Sequence, residues 1–364
     1  MKPQISQMEP WLGSEERKAV NKYLQQGGWL TEFKKTKEFE SAIADYTGAR
    51  YAAVVPNGTL ALAGALMAAG IKRGDEVIVP DYTMIASANA IVLAGATPVF
   101  VDIDPETLCL DLQLASKAVT KRTRALMLVT INGRFPAMED AVALARKHKL
   151  FLLEDAAQSL GSFYRGRHLG TFGDAGILSF SAPKIITTGQ GGAILTDSKK
   201  LYEAVLHIKD FGRQKSGVDY HEAMGYNLKF TDIQAVVGIE QFKKLSWRVA
   251  RKKQIYGLYA KLLGGVKGIT LIPTDLESTS PWFVDILVAK TKRKPLMEFL
   301  KREGVGTRPF YPAIHIQPPY RWVKGKFPVS EQMAGRGLWL PSSSFLKDRD
   351  IRGVAASIQK FFHE

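Results

Sequence analysis

Ser179-Phe-Ser-Ala-Pro-Lys184-Ile-Ile-Thr-Thr-Gly-Gln-Gly-Gly192 holds a lone lysine between a run of small residues and a glycine-rich turn. Its flanks, Gly176-Ile-Leu-Ser-Phe180 and Gly192-Ala-Ile-Leu-Thr196, read as adjacent apolar strands separated by the lysine loop. Apolar surroundings disfavour a charged amine and lower its pKa from about 10.4 toward neutrality. A neutral lysine is a nucleophile that can form a Schiff base with a carbonyl. The competing reading is a lysine at a strand end that points into water, and this segment alone leaves both open.

Outward from the loop, the first two thirds of the chain alternate strands and helices. Ala52–Pro56, Glu76–Pro80, Pro98–Asp102, Ala125–Thr130 and Phe151–Asp155 read as short apolar strands. Helical patterns occupy Glu15–Leu24, Lys37–Tyr46, the stretch from Asn57 through Ala69, Thr83–Leu93 and Met138–His148. Such alternation predicts an α/β fold with a mostly parallel central sheet covered on both faces. Ligands of such sheets gather at the carboxyl ends of the strands. Helices over Thr231–Lys244 and Trp247–Leu263 lead into a different pattern: a strand at Phe283–Ala289, a helix at Arg293–Glu303, and the Pro-rich aromatic segment Arg308–Tyr320. Residues 1–245 are therefore expected to form a large domain that includes the N-terminal helices. Residues 246–364 are expected to form a smaller C-terminal α+β domain.

Hydrophobic residues make up 46% of the 364, enough for a sizeable core and against disorder. The single cysteine, Cys109, excludes an internal disulfide framework and a cysteine-based metal site, so a reducing compartment is expected. No metal site is expected. The N-terminus lacks an apolar signal core, and no run approaches the roughly 18 apolar residues of a membrane span. A cytoplasmic location is the expectation. The net charge of +15 is scattered over short clusters. Solvated faces, an anionic small substrate or nucleic acid could each account for it. No recognisable DNA-binding motif supports the last, and no nucleic-acid partner is expected.

Two further stretches carry chemistry. Asn57-Gly-Thr59 lies between a strand and a helix, where free backbone N–H groups and a close glycine backbone could hold a phosphate. An ordinary helix cap has the same appearance. Glu154-Asp155-Ala-Ala-Gln158 follows an apolar strand, and a buried carboxylate there needs a partner. A protonated pyridine nitrogen would supply one. A helix cap or a metal ligand is the alternative. Phosphate cup, strand-end aspartate and downstream lysine, in that order, form the constellation of a pyridoxal phosphate enzyme.

With these motifs together, the chain resembles the nucleotide-sugar aminotransferases, a branch of the fold-type I pyridoxal phosphate enzymes. The resemblance covers nearly the whole chain. It rests on Asn57–Leu62, Gly74–Pro80, Glu154–Gln158, Ser179–Lys184, Gly189–Gly192 and Gly225–Ala235. It implies pyridoxal 5'-phosphate as cofactor, with pyridoxamine 5'-phosphate as its intermediate form. Lys184 would carry the Schiff base and then shuttle a proton. Asp155 would pair with the ring nitrogen and Gln158 would bond the ring hydroxyl. Gly58, Thr59 and Ser179 would hold the phosphate. Asn227 would reach the phosphate of a neighbouring subunit, which implies a homodimer with shared active sites. Arg308, Tyr311 and His315 match a loop that contacts the nucleotide-sugar.

Three stretches depart from the family pattern. Met84 stands where relatives often place an aromatic ring over the cofactor, and it could stack there itself, with Tyr82 as substitute. Asn132 and Arg134, in Thr130-Ile-Asn-Gly-Arg134, replace a His and an aromatic, and they are expected to meet sugar or phosphate. Trp29 lies in the early loop Gly28–Phe33, which lacks a common extra glycine, and it is counted with the substrate contacts. The expected substrates are a nucleotide-linked keto sugar and L-glutamate. Arg308-Pro-Phe-Tyr311 resembles the branch that converts a GDP-linked 4-keto-6-deoxymannose to perosamine. A UDP- or dTDP-linked 3- or 4-keto sugar is the alternative. An inactive binding or regulatory protein on the same fold is the alternative of another class.

Overall fold

The computed structural model describes residues 5–213 and 218–363. Its larger sheet has seven strands: β1 (Tyr51–Val55), β2 (Glu76–Pro80), β3 (Thr97–Val101), β4 (Thr123–Val129), β5 (Phe151–Asp155), β6 (Ala175–Ser179) and β7 (Gly192–Thr196). They lie in the order β1-β7-β6-β5-β4-β2-β3. The pairings β2/β3, β2/β4, β4/β5 and β5/β6 are parallel, and β7 runs antiparallel to both β1 and β6. The mostly parallel sheet expected from the alternating pattern is thus what forms. Its strands are apolar on both faces because helices cover both. On one side Leu62 and Leu66 of α3 (Gly58–Ala68) pack with Val77, Met127 and Ile177. On the other, Leu126, Leu128 and Leu152 meet Met138 and Leu144 of α6 (Met138–His148).

The register of β7 positions the site. Gly192 is the Cα partner of both Val55 and Ser179. The end of β1, with Asn57 and Gly58 just beyond it, therefore lies one strand away from the end of β6. Asp155 pairs with Ile177, which sets it two residues short of Ser179 on the neighbouring strand. Three carboxyl ends converge without any long excursion of the chain.

The second sheet, β8 (Ile269–Leu271), β9 (Val284–Val288), β10 (Arg308–Pro309) and β11 (Gly337–Leu340), is antiparallel in the order β8-β9-β11-β10. Alternation on β9 sends Val284, Ile286 and Val288 into a core with Leu296, Val354 and Ile358, while Asp285 faces the other way. The long helix α9 (Leu245–Leu263) serves both cores. Leu245 packs with Phe39 and Phe180, and Ile255 and Tyr259 pack under the second sheet. The N-terminal segment crosses over as well, since Ile5 donates its N–H to the Gly304 carbonyl at 3.0 Å.

Local differences from the sequence reading have physical causes. The helix expected over Thr83–Leu93 begins at Ala86, because Asp81 and its neighbours run as a loop over the strand ends. The helix α2 (Lys34–Thr47) has no cap of its own. Asp232, distant in sequence, accepts the N–H groups of Phe33, Lys35 and Thr36 at 2.8–3.0 Å and caps it from outside.

Candidate active site

Asn57 caps α3 by accepting the Leu60 N–H at 2.9 Å, which leaves Gly58 and Thr59 as the first helical residues, whose N–H groups have no intrahelical partner. Close packing builds this turn. A Cβ on Gly192 would stand 2.6 Å from the Asn57 carbonyl carbon, and one on Gly58 would stand 3.3 Å from Ser179 Cβ. The lysine loop is pinned by its own threonines. Thr187 Oγ1 donates to the Phe180 carbonyl at 3.0 Å, and Thr188 Oγ1 donates to that of Gln190 at 2.6 Å. Gly189 turns the loop with φ +80°, a left-handed conformation that favours glycine.

These elements enclose a cavity of about 300 Å³. Gly58, Thr59, Met84, Asp155, Gln158, Ser179, Lys184, Arg308 and Tyr311 all line it. Lys184 Nζ has no hydrogen-bond partner among the described residues and lies 3.9 Å from the centroid of the Trp282 ring. Burial against the cavity walls pushes its pKa down to about 7; the charge of Asp155 opposes this and that of Arg308 adds to it. The aspect of Lys184 left open is thereby resolved: its amine faces the cavity, not bulk water.

Strand alternation separates the two acids at the end of β5. Glu154 turns away and accepts the N–H groups of Gly170, Phe172 and Gly173, holding that loop, while burial raises its pKa to about 7. Asp155 turns toward the cavity. Burial raises its pKa, and the Ser87 hydroxyl, donating to Oδ2 at 2.7 Å, and the Ala157 N–H both favour the ionised form. Gln158 accepts the Asn132 N–H at 2.8 Å through Oε1, which leaves its amide nitrogen free to donate. Met84 is 44% exposed, so an apolar side chain stands open at the cavity wall. Tyr82 is fully buried among Phe310 and Tyr311 and cannot take that place.

Five expected site residues lie elsewhere. Asn132 and Arg134, expected to meet sugar or phosphate, are not among the residues that line the cavity and are engaged by protein groups instead. Asn132 donates to Asp285 and the Phe283 carbonyl, both at 2.9 Å, and accepts the Phe283 N–H at 2.7 Å. Arg134 forms a buried two-pronged pair with Asp285 at 2.7 and 3.2 Å. His315 is held by Asp81, with Nδ1 2.6 Å from a carboxylate oxygen, and lies outside the cavity lining. Trp29 is 62% exposed on the early loop. Asn227 lies beside Asp210, away from the cavity of its own chain.

Sequence reasoning missed Ser87 and Trp282. Ser87 follows Thr83 by four residues and their hydroxyls meet at 3.0 Å, a weak signal in an unremarkable stretch. Trp282 gave none: it reaches the site by donating from Nε1 to the carbonyl of Pro183, 99 positions away, at 2.7 Å. Two basic residues of α9, Arg248 and Lys252, are buried, and Arg248 donates to the Ile185 carbonyl of the lysine loop at 2.8 Å.

A mostly parallel sheet that gathers a helix N-terminus, a buried acid and a lysine unpaired among the described residues at its carboxyl ends is the arrangement of the fold-type I aminotransferases. The chain belongs to the DegT/DnrJ/EryC1/StrS aminotransferase family, whose model matches residues 10–359. It is 36% identical over 357 residues to the GDP-perosamine synthase of Escherichia coli O157:H7, covering 98% of both chains. It is 34% identical to the GDP-perosamine synthase of Caulobacter vibrioides, again over 98% of each. Among solved structures it superposes on Streptomyces venezuelae DesV in complex with a ketimine intermediate, at a TM-score of 0.92 and 31% identity over 98% of this chain and 99% of that one. Helicobacter pylori PseC, an aminotransferase of pseudoaminic acid biosynthesis, gives 0.93 at 26% identity over 99% of both. Among the described residues no helix is long and apolar enough to cross a membrane.

Proposed function

We propose that the chain transfers an amino group from L-glutamate to a GDP-linked 4-keto-6-deoxymannose, forming GDP-perosamine, with pyridoxal 5'-phosphate as cofactor. The observation that carries this reading is the convergence of an unpaired amine at Lys184, a hydrogen-bonded carboxylate at Asp155 and a helix N-terminus at Gly58 in one cavity. The full-length likeness to two GDP-perosamine synthases selects the sugar.

The residues fit the cofactor. The turn at Asn57 and Gly58 is so close that a Cβ on Gly192 would meet its backbone, and Lys184 Nζ, without a hydrogen-bond partner among the described residues, lines the same cavity. Gly58, Thr59 and Ser179 would hold the phosphate, Asp155 the ring nitrogen and Lys184 the aldehyde carbon. The cofactor, when bound, supplies an electron sink for the carbanion that develops at the reacting carbon. Burial raises the pKa of Asp155, and the Ser87 hydroxyl opposes this by favouring the carboxylate, which would keep a ring nitrogen beside it protonated. Lys184 Nζ, neutral at pH values above about 7, takes up and returns the proton of the reacting carbon. Gln158 would bond the ring hydroxyl and the Met84 side chain would lie against the ring, both residues lining the cavity. Arg308 forms no ion pair among the described residues and stands exposed beside Tyr311, where it would offset the substrate diphosphate or the donor carboxylate.

Asn227 and Trp29 enter through a second copy. Their two loops are tied together by Lys209, whose Nζ lies 2.9 Å from Glu32, while Glu32 accepts the Phe230 N–H at 3.0 Å. The surrounding surface exposes Leu30, Phe33, Met224 and Tyr226. A homodimer that covers this face would bring Asn227 to the phosphate cup of its partner.

The test is a panel of GDP-, UDP- and dTDP-linked keto sugars with L-glutamate, scored by product mass. Turnover confined to a UDP- or dTDP-sugar would replace the GDP reading. The Lys184→Ala chain should lose both the visible cofactor absorbance and turnover. An alanine chain that keeps full turnover would end the assignment.

A further inference from the structure

The face of Trp282 against Lys184 has a construction that packing alone does not require. Trp282 is tied through both its ring and its main chain, Lys252 bonding the main-chain carbonyl. Its Nε1 donates to the Pro183 carbonyl at 2.7 Å, immediately before the lysine. Its own carbonyl accepts from Lys252 Nζ at 2.6 Å, and its ring stacks on Phe283 at 3.8 Å with an interplanar angle of 22°. One turn earlier on α9, Arg248 donates to the Ile185 carbonyl at 2.8 Å, immediately after the lysine. Arg248 and Lys252 are 3% and 2% exposed, and neither forms an ion pair among the described residues. Burying two basic groups without carboxylates is costly unless their hydrogens are used. Here Arg248 donates to the carbonyls of Ile185 and Trp11 and to the Gln241 amide oxygen, with its Nε left unpartnered, and Lys252 donates to the carbonyls of Trp282 and Ser342.

We propose that Trp282 is a positioning residue for Lys184: its ring face holds the free amine, aims it into the cavity and favours its protonated form, and Arg248 and Lys252 of α9 set that geometry. The inference rests on Lys184 being the reactive amine of this cavity, and not on which sugar is used. A cation over an indole face is attracted by the ring quadrupole, most strongly where water is excluded. The other charged or titratable groups facing the amine are Asp155, Arg308 and Tyr311. Burial and Arg308 drive the amine toward its neutral form and Asp155 opposes them; the indole face adds to that opposition. The balance leaves it close to the point where it can both accept and return a proton.

The test is the pH titration of Lys184 itself by competitive acetylation and peptide mass analysis. The full chain is first dialysed against hydroxylamine to free the amine. This readout needs neither turnover nor cofactor, so it separates failure of this inference from failure of the proposed function. Trp282→Leu should lower the apparent pKa of Lys184 by about one unit. Trp282→Phe, which keeps an aromatic face, should restore most of that shift, and Lys252→Met should fall between. Biosynthetic replacement of the tryptophans by fluorinated analogues weakens the ring quadrupole with little change of shape. It should lower the pKa in step with fluorine number, and it remains informative if the leucine chain does not fold. A Lys184 that titrates as in the parent after fluorination overturns the proposal.

Discussion

At the scale of single residues, small groups set the ionisation of larger ones. Asp155 is buried deeply enough that its carboxylate form depends on the Ser87 hydroxyl. A hydrogen bond to a charged group is worth about 1.5–3 kcal/mol. Ser87→Ala should therefore raise the pKa of Asp155 and move the acid limb of kcat/KM to higher pH, with a loss of about tenfold near neutrality. An unmoved acid limb would show that Ser87 is only filling space. His168 illustrates the opposite sign. Burial pushes it down to about 4, and its Nε2 accepts the Gly161 N–H at 3.3 Å. The unfolded chain takes up a proton near pH 6.5 and the folded one only near 4, so stability is lost as pH falls through that window. The loss at this site should reach about 3 kcal/mol. Urea midpoints measured from pH 7 to 4 should fall less steeply for His168→Gln, which retains an acceptor.

Between elements, the pair Arg134–Asp285 joins the loop after β4 to strand β9 of the second sheet. Both side chains are almost fully buried, so breaking one partner leaves a charge without compensation. Asp285→Asn should cost about 3–5 kcal/mol in denaturant unfolding, whereas the double change Arg134→Met with Asp285→Leu should recover most of it. Equal stability of single and double variants would deny the pair this role. The junction of β1, β7 and β6 makes a different prediction. Gly192→Ala forces the Asn57 backbone away from 2.6 Å, displacing the start of α3. Cofactor affinity should drop at least tenfold, measured by absorbance titration, even where the variant remains folded.

Across the whole molecule, the cavity is lined from both sheets, and under the proposed function a second copy would complete the phosphate cup. Sedimentation should give the mass of two chains. Asn227→Ala should weaken cofactor binding without altering the cavity of its own chain. Mixing a Lys184→Ala chain with an Asn227→Ala chain should yield hybrid dimers with one site that carries both defects and one that carries neither. Recovered activity of such mixtures is the check; none would appear if each chain works alone.

Much of this was legible in the linear chain. Alternating apolar strands and helices dictate a covered parallel sheet, because backbone groups must pair and apolar faces must be buried. The order Asn57-Gly-Thr59, Asp155, Lys184 places an anion cup, an acid and an amine at strand ends, where any such sheet collects them. What the chain could not disclose was which way side chains turn once the two sheets meet. Asn132 and Arg134 sit at a strand end as the active residues do, yet Asp285 on a distant strand claims both. Trp282 carries no local pattern, and it reaches Lys184 only because Lys252 and Pro183 hold it there. The lysine loop by itself supplies a lone amine among small and apolar residues, but not whether that amine meets a cavity or water. The ring that Lys184 faces, and the charge it carries at neutral pH, come from long-range packing, because desolvation and partner charges depend on what folding brings near.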